Sequence, residues 1–187
     1  MLTESGIVRS DIRSSFGSSS TTAEGVPTTI KLTLVDASSG APLPGAAVYL
    51  WHCDATGLYS LYSQGATNEN YLRGVQEADA SGLVTFTSIY PGCYAGRWPH
   101  IHYEVYPSLA AATNATNKLA TSQLALTKEA SAAVYATDGY PDSTRNLAQV
   151  SIATDNVFSD GAELETPAIT GTVDTGYQIL LTAAIRT

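Results

Sequence analysis

Apolar and polar residues alternate in several short segments of this chain, which is the pattern of strands that bury one face. In residues 28–35, for example, Ile30, Leu32 and Leu34 alternate with threonine and lysine. Further strands are predicted at residues 46–53, 83–89, 100–106, 119–126, 147–153, 169–173 and 177–185, separated by segments rich in glycine, proline and serine. One short helix is predicted at residues 128–135, with Thr127 as its N-cap.

Many short strands joined by glycine- and proline-containing turns predict an all-β fold, a β-sandwich with one short helix and long loops. The chain has 187 residues, which is enough for one well-buried domain. We expect residues 1–25 to form an N-terminal arm and a serine-rich loop, and residues 26–187 to form a single β-sandwich domain.

Charge and composition narrow the classes of partner. Aspartate and glutamate number 17 against 9 lysines and arginines, and the net charge of −8 disfavours nucleic acid and anionic membranes. No apolar run is long enough to span a bilayer. The chain is poor in lysine and rich in serine, threonine, alanine and glycine, as secreted proteins often are, so we expect an extracellular protein whose signal peptide is absent from this sequence.

The candidate chemistry lies in the segment that ends in His100-Ile101-His102. Two of the three histidines stand there at positions i and i+2 of a predicted strand, so both imidazoles project from the same face. A Pro-Gly turn precedes Tyr94, and a second turn precedes Tyr59. Taken singly, a His-x-His pair is more often half-exposed polar surface, and a tyrosine is more often part of the core. Together and in this order they predict a metal site.

The donor types favour ferric iron. Neutral imidazoles bind several transition metals, but anionic phenolates are hard donors that prefer a hard, highly charged cation. A free phenol has a pKa of about 10 and ionises at neutral pH only when a metal draws off its proton. His52, between Trp51 and Cys53 in a predicted strand, is instead expected to be a buried structural imidazole.

In these motifs the chain resembles the intradiol ring-cleavage dioxygenases, the family of catechol and protocatechuate dioxygenases. The resemblance covers roughly the central half of the chain, and the combined motifs are far more specific than any one of them. The matching residues are Trp51-His52-x-Asp54-x-x-Gly57-x-Tyr59-Ser60, Leu72-Arg73-Gly74-Val75-Gln76, Asp79-x-x-Gly82, Phe86, Ile89, Pro91-Gly92-x-Tyr94, Gly96-Arg97 and His100-Ile101-His102, with a weaker match at Thr121-Ser122-Gln123-Leu124.

The resemblance implies a non-haem Fe(III) held by Tyr59, Tyr94, His100 and His102. It implies cleavage of catechol-type rings between the two hydroxyls with dioxygen, giving cis,cis-muconate-type diacids. In that reaction Tyr59 would stay on the iron, whereas Tyr94 would leave it and help to accept the two phenolic protons. The family's β-sandwich catalytic core agrees with the predicted fold.

The resemblance also implies catalytic roles beside the iron. The guanidinium of Arg97 would stabilise the negative charge that develops on the substrate. Gln123 either joins Arg97 in this role or is an ordinary outward-facing glutamine. For Arg73 and Asp54 a structural contact is expected instead.

Substrate preference rests on few residues. No basic side chain other than Arg97 is expected to meet a ring carboxylate, which favours catechol, alkylated catechols or hydroxyquinol over protocatechuate. Leu58 and Tyr71 are candidates for the pocket wall, with core packing as the alternative for each. We see no helical dimerisation region of the kind found in intracellular catechol dioxygenases, so we expect a monomer or a small homo-oligomer.

Two further interpretations remain open at this level. If Tyr59 and Tyr94 bind one metal, Cys53 and Cys93 approach each other, and we favour a disulfide over two buried free thiols. Separately, the turn at residues 40–48 is similar to those of adhesin-like and transthyretin-like sandwiches, which would make the chain a catalytically inactive binding or spacer module. That alternative gives no reason for the order of the tyrosines, Arg97 and the histidines.

Overall fold

The computed structural model describes residues 2–187 and contains two four-stranded sheets packed face to face. In chain order the elements are β1 (Pro27–Asp36), β2 (Ala47–Trp51), β3 (Arg73–Glu77), β4 (Leu83–Ile89), β5 (His100–Tyr106), β6 (Ala120–Ala125), α1 (Lys128–Tyr135), α2 (Ser143–Leu147), β7 (Ala168–Thr172) and β8 (Gly176–Ile185). The first sheet has the order β4-β1-β8-β7 and the second the order β3-β2-β5-β6. Neighbouring strands are antiparallel except for β1 and β8, which are parallel. The predicted all-β sandwich is confirmed.

The core between the sheets is built from the alternating apolar residues of the strands. Ile30, Leu32 and Leu34 of β1 are fully buried, as the sequence pattern predicts. On β5 the odd-numbered residues Ile101 and Val105 are fully buried in the same core. Each such side chain stabilises the fold by roughly 1.5–3 kcal/mol. Because side chains alternate along a strand, the even-numbered residues of β5 face outward from the second sheet.

That outer face is partly covered by the N-terminal arm. The arm runs along the sheet edges, where Val8 bridges to Val75 of β3 in the second sheet and Asp11 bridges to Thr87 of β4 in the first sheet. Ile7 joins a small second cluster on this face, whose buried members are Ile7, Ala47, Tyr49, Val75, Tyr106 and Ala112. This cluster covers the outer face towards the end of β5, where Tyr106 lies, and leaves open the part next to His100 at the start of that strand.

The secondary-structure predictions differ from the structure in three places. The strand predicted at residues 147–153 is wrong, because α2 and a 3₁₀ turn at Ile152–Thr154 occupy this segment. Leu147, Val150 and Ile152 pack on the core from the end of α2, the turn after it and the 3₁₀ turn, and their spacing resembles that of a strand. Strand β3 has no sequence prediction, because Val75 is its only aliphatic residue and no alternating pattern exists. Its extended conformation comes from backbone pairing with β2. Thr127 occupies the N-cap of α1, but its side chain makes no capping hydrogen bond.

The disulfide favoured from the sequence is also wrong. Cys53 and Cys93 are both free and buried. Each thiol points at a backbone carbonyl instead of at the other sulfur, Cys53 Sγ at Gly92 O (3.4 Å) and Cys93 Sγ at Arg97 O (3.6 Å). Burial raises the pKa of both thiols, that of Cys93 to about 11, so they stay protonated and pack as small apolar residues.

His52 is a structural imidazole, as expected. Its Nδ1 lies 2.7 Å from the carbonyl oxygen of Cys53, and its Nε2 lies 2.7 Å from Ser88 Oγ. A carbonyl can only accept, so Nδ1 carries the proton and Nε2 accepts from the serine hydroxyl. Complete burial lowers the pKa of His52 to about 4. The neutral ring therefore links the end of β2 to β4.

This burial predicts a pH-dependent stability. The folded pKa of His52 lies below its ordinary value of 6.5, so the unfolded chain binds the proton first and His52 contributes stability that is lost as the pH falls from 6.5 towards 4. Between pH 7.5 and pH 5 the metal-free protein should lose about 2 kcal/mol more unfolding free energy than the metal-free His52→Gln variant. Denaturant titrations at the two pH values measure this difference, and equal losses would show that His52 titrates normally.

Candidate metal centre

Two imidazole nitrogens and two phenol oxygens converge on the open part of the outer face. Tyr59 Oη lies 3.2 Å from His100 Nε2 and 3.1 Å from His102 Nε2. Tyr94 Oη lies 3.3 Å from His100 Nε2, and the two Nε2 atoms are 3.1 Å apart. The structure thus brings together all four residues that the sequence predicts as ligands. These separations are those of donor atoms that surround a single small cation.

The sheet itself positions the two histidines. His100 and His102 project from the same face of β5, at the strand's first and third residues. His102 stands directly opposite Trp51 on β2, and the two rings stack with centroids 4.7 Å apart and planes 3° from parallel. On its other side His102 pairs with Gln123 of β6, and Trp51 in turn pairs with Arg73 of β3. Four strands thereby place Arg73, Trp51, His102 and Gln123 in one row across the sheet.

Tyr94 reaches the cluster from the loop that follows β4. This loop is held by α2, because Ser143 Oγ accepts from the backbone N–H of Cys93 (3.0 Å) and Asn146 Nδ2 donates to the carbonyl of Cys93 (2.8 Å). Gly57 allows the loop that carries Tyr59 to approach. It has φ +86°, and a Cβ there would lie 3.0 Å from the Cβ of Tyr94.

The protonation of His100 fixes which ring nitrogen faces the cluster. Its Nδ1 lies 2.5 Å from the carbonyl oxygen of Trp98, which can only accept, so Nδ1 carries the proton and Nε2 presents a lone pair. Burial lowers the pKa of His100 to about 4, and burial together with the neighbouring His100 lowers that of His102 to about 3. Both imidazoles are therefore neutral near pH 7 and available as ligands.

The two phenols do not ionise by themselves in this environment. Burial raises the pKa of Tyr59 and of Tyr94 above its ordinary value, although the charge of Arg97 opposes the increase in both cases. An anionic phenolate at this site thus requires a cation that binds it. The donor set therefore consists of two neutral imidazoles and two phenols that lose their protons only when a cation binds them. Such a set fits a hard, highly charged metal ion such as Fe(III). Within residues 2–187 no group of three or more His, Cys, Asp and Glu side chains could hold a metal, so the tyrosines are needed to complete the set.

Arg97 lies beside the cluster and is fixed on two sides. Its Nε donates to Asp155 Oδ2 (2.9 Å), and its Nη2 donates to Gln123 Oε1 (2.7 Å). Asp155 is fully buried and also accepts from the backbone N–H groups of Trp98, Val157 and Phe158. Burial opposes ionisation of Asp155, but these hydrogen bonds lower its pKa, so the carboxylate is charged. The guanidinium is held rigidly, and Gln123 is its neighbour, not an isolated surface residue.

Sequence reasoning missed two residues of this site. Asp155 follows the 3₁₀ turn in the segment that was predicted as a strand, and no local pattern marks it as the partner of Arg97. Trp51 was among the motif residues, but its stacking on His102 depends on the register of β2 against β5. Of the candidate wall residues, Tyr71 is buried and donates to Asp54, whereas Leu58 is partly exposed beside Tyr59.

A cleft of about 540 Å³ elsewhere in the molecule is not the metal centre. It is lined by residues of β6, β8 and the segment 157–165, and it contains none of the four converging side chains. Tyr103, which lines it, projects from the opposite face of β5 to His102. The convergence of donor atoms, and not the size of a cavity, therefore identifies the candidate site.

Comparison with known proteins gives matches that include this region. Residues 14–111, just over half of the chain, match a protein-family model described as dioxygenase. A catechol 1,2-dioxygenase of Pseudomonas sp. (strain EST1001) is 39% identical over 57 residues, which are 30% of this chain and 18% of that protein. The matched segment thus spans less than a fifth of this curated relative.

Solved structures with the same fold match over nearly the whole chain. An intradiol ring-cleavage dioxygenase from Tetranychus urticae superposes with a TM-score of 0.76 at 26% identity, covering 98% of this chain and 88% of that one. The dioxygenase domain of a dioxygenase carbohydrate-binding protein fusion from Streptomyces sp. SirexAA-E superposes with a TM-score of 0.62 at 22% identity, covering 96% of this chain and 88% of that one. The second likeness is one of fold alone.

Proposed function

This chain belongs to the intradiol ring-cleavage dioxygenase family, and on that premise we propose that it is a non-haem Fe(III) enzyme for catechol-type substrates. It cleaves the aromatic ring between the two hydroxyls and incorporates both atoms of dioxygen, giving cis,cis-muconate-type diacids. The observation that carries the proposal is the convergence of the Tyr59 and Tyr94 oxygens with the His100 and His102 nitrogens.

The four converging residues would hold the iron. Ferric iron held there would supply the chemistry that makes a catechol ring reactive towards dioxygen. The chain's own contribution is to bind and orient the substrate, to move its protons and to stabilise charge. Trp51 supports this by fixing the plane of the His102 ring.

Tyr94 is the residue proposed to accept a substrate proton. Its oxygen is near only one of the two imidazoles, His100, whereas the Tyr59 oxygen is near both. Burial also raises the pKa of Tyr94, so this phenolate is a strong base when it leaves its cation. A catechol that loses both phenolic protons needs such an acceptor close to its oxygens.

Arg97 is proposed to stabilise the negative charge that develops on the substrate oxygens and ring. A guanidinium already fixed by Asp155 and Gln123 needs no reorganisation when that charge appears. The Asp155 carboxylate accepts hydrogen bonds from three backbone N–H groups as well as from Arg97. Its negative charge is thus shared among four donors and offsets only part of the positive charge of the guanidinium.

The finer assignments follow from composition and from the site. We propose catechol, alkylated catechols or hydroxyquinol as substrates. Of the two arginines near the cluster, Arg97 is engaged by Asp155 and Gln123, and Arg73 by Ser60 and Tyr49, so neither is free to pair with a ring carboxylate. We also propose an extracellular monomer or small homo-oligomer. Within residues 2–187 no helix is long and apolar enough to cross a membrane.

The test is to load the purified protein with Fe(III) and to follow its reaction with catechol. We expect a reddish protein from phenolate-to-iron charge transfer, one dioxygen consumed per catechol, and cis,cis-muconate as the product. His100→Ala is the matched control and should lose both colour and activity. A semialdehyde product, from cleavage beside the hydroxyls, would contradict the intradiol assignment. A colourless wild-type protein that retains no iron would instead favour the inactive binding module.

A further inference from the structure

A second buried arginine lies at the other end of the row that contains His102. Arg73 is only 1% exposed and is among the largest fully buried side chains. Its Nε donates to Ser60 Oγ (3.0 Å), its Nη2 to Ser60 O (2.8 Å) and its Nη1 to Tyr49 Oη (2.9 Å). The ring of Tyr62 lies over the guanidinium, with its centroid 4.7 Å from Cζ. All of these partners are neutral.

Arg73 differs in this respect from Arg97. No aspartate or glutamate of residues 2–187 forms an ion pair with Arg73, whereas Arg97 is paired with the buried Asp155. A buried cation without a counter-ion is costly to keep out of water, and an apolar side chain of similar size would pack at this position without that cost. The guanidinium is therefore retained for the hydrogen bonds that it makes, and two of the three go to one residue.

That residue, Ser60, directly follows Tyr59. Ser60 is fixed further because its hydroxyl donates to the carbonyl of Tyr71 (2.7 Å). Tyr59 lies outside the strands and helices, and its backbone is held only within its own loop: its N–H donates to Ser63 Oγ (2.9 Å) and its carbonyl accepts from the N–H of Ser63 (2.9 Å). The next residue, Leu61, has φ +71°, a left-handed conformation that a leucine adopts only where its surroundings enforce it. The contacts of Ser60 with Arg73 join this loop to β3, so they set where the loop, and with it the Tyr59 phenol, lies against the second sheet.

We propose that Arg73 is a positioning residue of the metal centre. Its guanidinium donates hydrogen bonds to both the carbonyl and the hydroxyl of Ser60, and it thereby holds the Tyr59 oxygen close to the two imidazoles. Arg73 does not touch the converging atoms; it acts through Tyr59. The inference rests on the proposed function, because it assigns Arg73 a part in holding the ferric ion. A lysine cannot replace it, since one ammonium group cannot reproduce the planar two-pronged contact.

A double-mutant cycle tests this inference. Arg73→Lys, Tyr59→Phe and the double variant are prepared, and the Fe(III) dissociation constant of each is measured by competition with a ferric chelator. In the wild-type background Arg73→Lys should weaken Fe(III) binding about 10- to 100-fold and shift the visible phenolate band. In the Tyr59→Phe background the same change should alter Fe(III) binding less than about twofold, because the residue through which it acts is gone.

Arg9→Lys is the matched control. Arg9 also donates to backbone carbonyls, those of Ser14, Asn70 and Arg73, and stacks on Phe16, but it does not contact Ser60. This variant should lower the thermal midpoint of the metal-free protein while leaving Fe(III) affinity within about twofold of wild type. If Arg73→Lys does not fold, Ser60→Ala is used instead, because it removes one of the two oxygens that accept from Arg73. This variant should show a smaller loss of Fe(III) affinity than expected for Arg73→Lys, and the loss should again depend on Tyr59.

The outcomes separate this inference from the proposed function. If Arg73→Lys weakens iron binding equally with and without Tyr59, or not at all, Arg73 is a residue of general stability and the inference is wrong. The proposed function survives that result, because wild-type iron binding and turnover are unaffected by it. If the wild-type protein binds no Fe(III), the proposed function fails and the inference fails with it.

Discussion

Tyr94→Phe is expected to keep ferric iron but to lose about 100- to 10,000-fold in turnover, the usual contribution of a positioned proton acceptor. Tyr59→Phe is expected to bind ferric iron at least about 100-fold more weakly than the wild type. The difference follows from the geometry of the two phenols. Tyr59 Oη lies 3.1 and 3.2 Å from the two imidazole nitrogens, whereas Tyr94 Oη lies near His100 alone, at 3.3 Å.

Visible spectra with and without anaerobic catechol distinguish these roles. In the wild type, catechol should displace Tyr94 and add its own charge-transfer band while the Tyr59 band persists, so the complex of Tyr94→Phe should resemble that of the wild type. The complex of Tyr59→Phe should differ. Tyr62→Phe is the control, since Tyr62 is 71% exposed in the same loop and the change removes only its hydroxyl and keeps the ring that lies over Arg73. If the two variants exchange their behaviour, the roles are reversed, and if neither changes the colour, the phenolate assignment is wrong.

Arg97→Gln is the second substitution expected to have a large effect, lowering kcat by about 100- to 1,000-fold. The loss should appear in turnover and not in iron content, because Arg97 contacts Asp155 and Gln123 and is not one of the converging donors. Asp155 keeps three backbone N–H donors in this variant, so its buried carboxylate is not left unpaired and the fold should persist. Arg97→Lys should recover little activity, since one ammonium cannot contact both partners.

Steady-state kinetics, together with the iron content of each preparation, measure this effect. Arg145→Gln serves as the control because Arg145, although it lies in α2, pairs only with the exposed Asp142, and it should retain wild-type kcat. A normal kcat in Arg97→Gln would remove Arg97 from the mechanism. If activity falls only in proportion to the iron content of the Arg97→Gln preparation, Arg97 supports the metal site and does not act in the reaction itself.

The relatives of this chain match it over very different shares of their own length. The chain is matched by the Tetranychus urticae enzyme over 88% of that protein's length, but the segment matching the Pseudomonas catechol 1,2-dioxygenase spans only 18% of it. Shared fold and family therefore fix the reaction class to be tested, whereas the preferred catechol has to be measured on this protein.

Much of the fold was predictable because strand periodicity is local. The strands at residues 83–89 and 100–106 and the helix at 128–135 have the predicted bounds, since alternation or helical spacing is complete within each segment. The failures lie where tertiary contacts replace local pattern. Residues 147–153 carry spaced apolar side chains that pack on the core, and the carbonyls of Ser151 and Ile152 accept from the N–H of Asp155.

By itself, the sequence determined which residue types are present and which share a face. His100 and His102 are two apart in a strand, so they must point the same way, and the order Tyr59, Tyr94, Arg97 and the histidines identifies the family resemblance. Only the tertiary structure decided which distant residues meet. The register of four strands aligns Arg73, Trp51, His102 and Gln123. The 3₁₀ turn that follows α2 leads to Asp155 beside Arg97, and Cys53 and Cys93 remain free thiols. These contacts depend on sheet pairing and loop anchoring, which join residues far apart in the chain and leave no periodic signal in it.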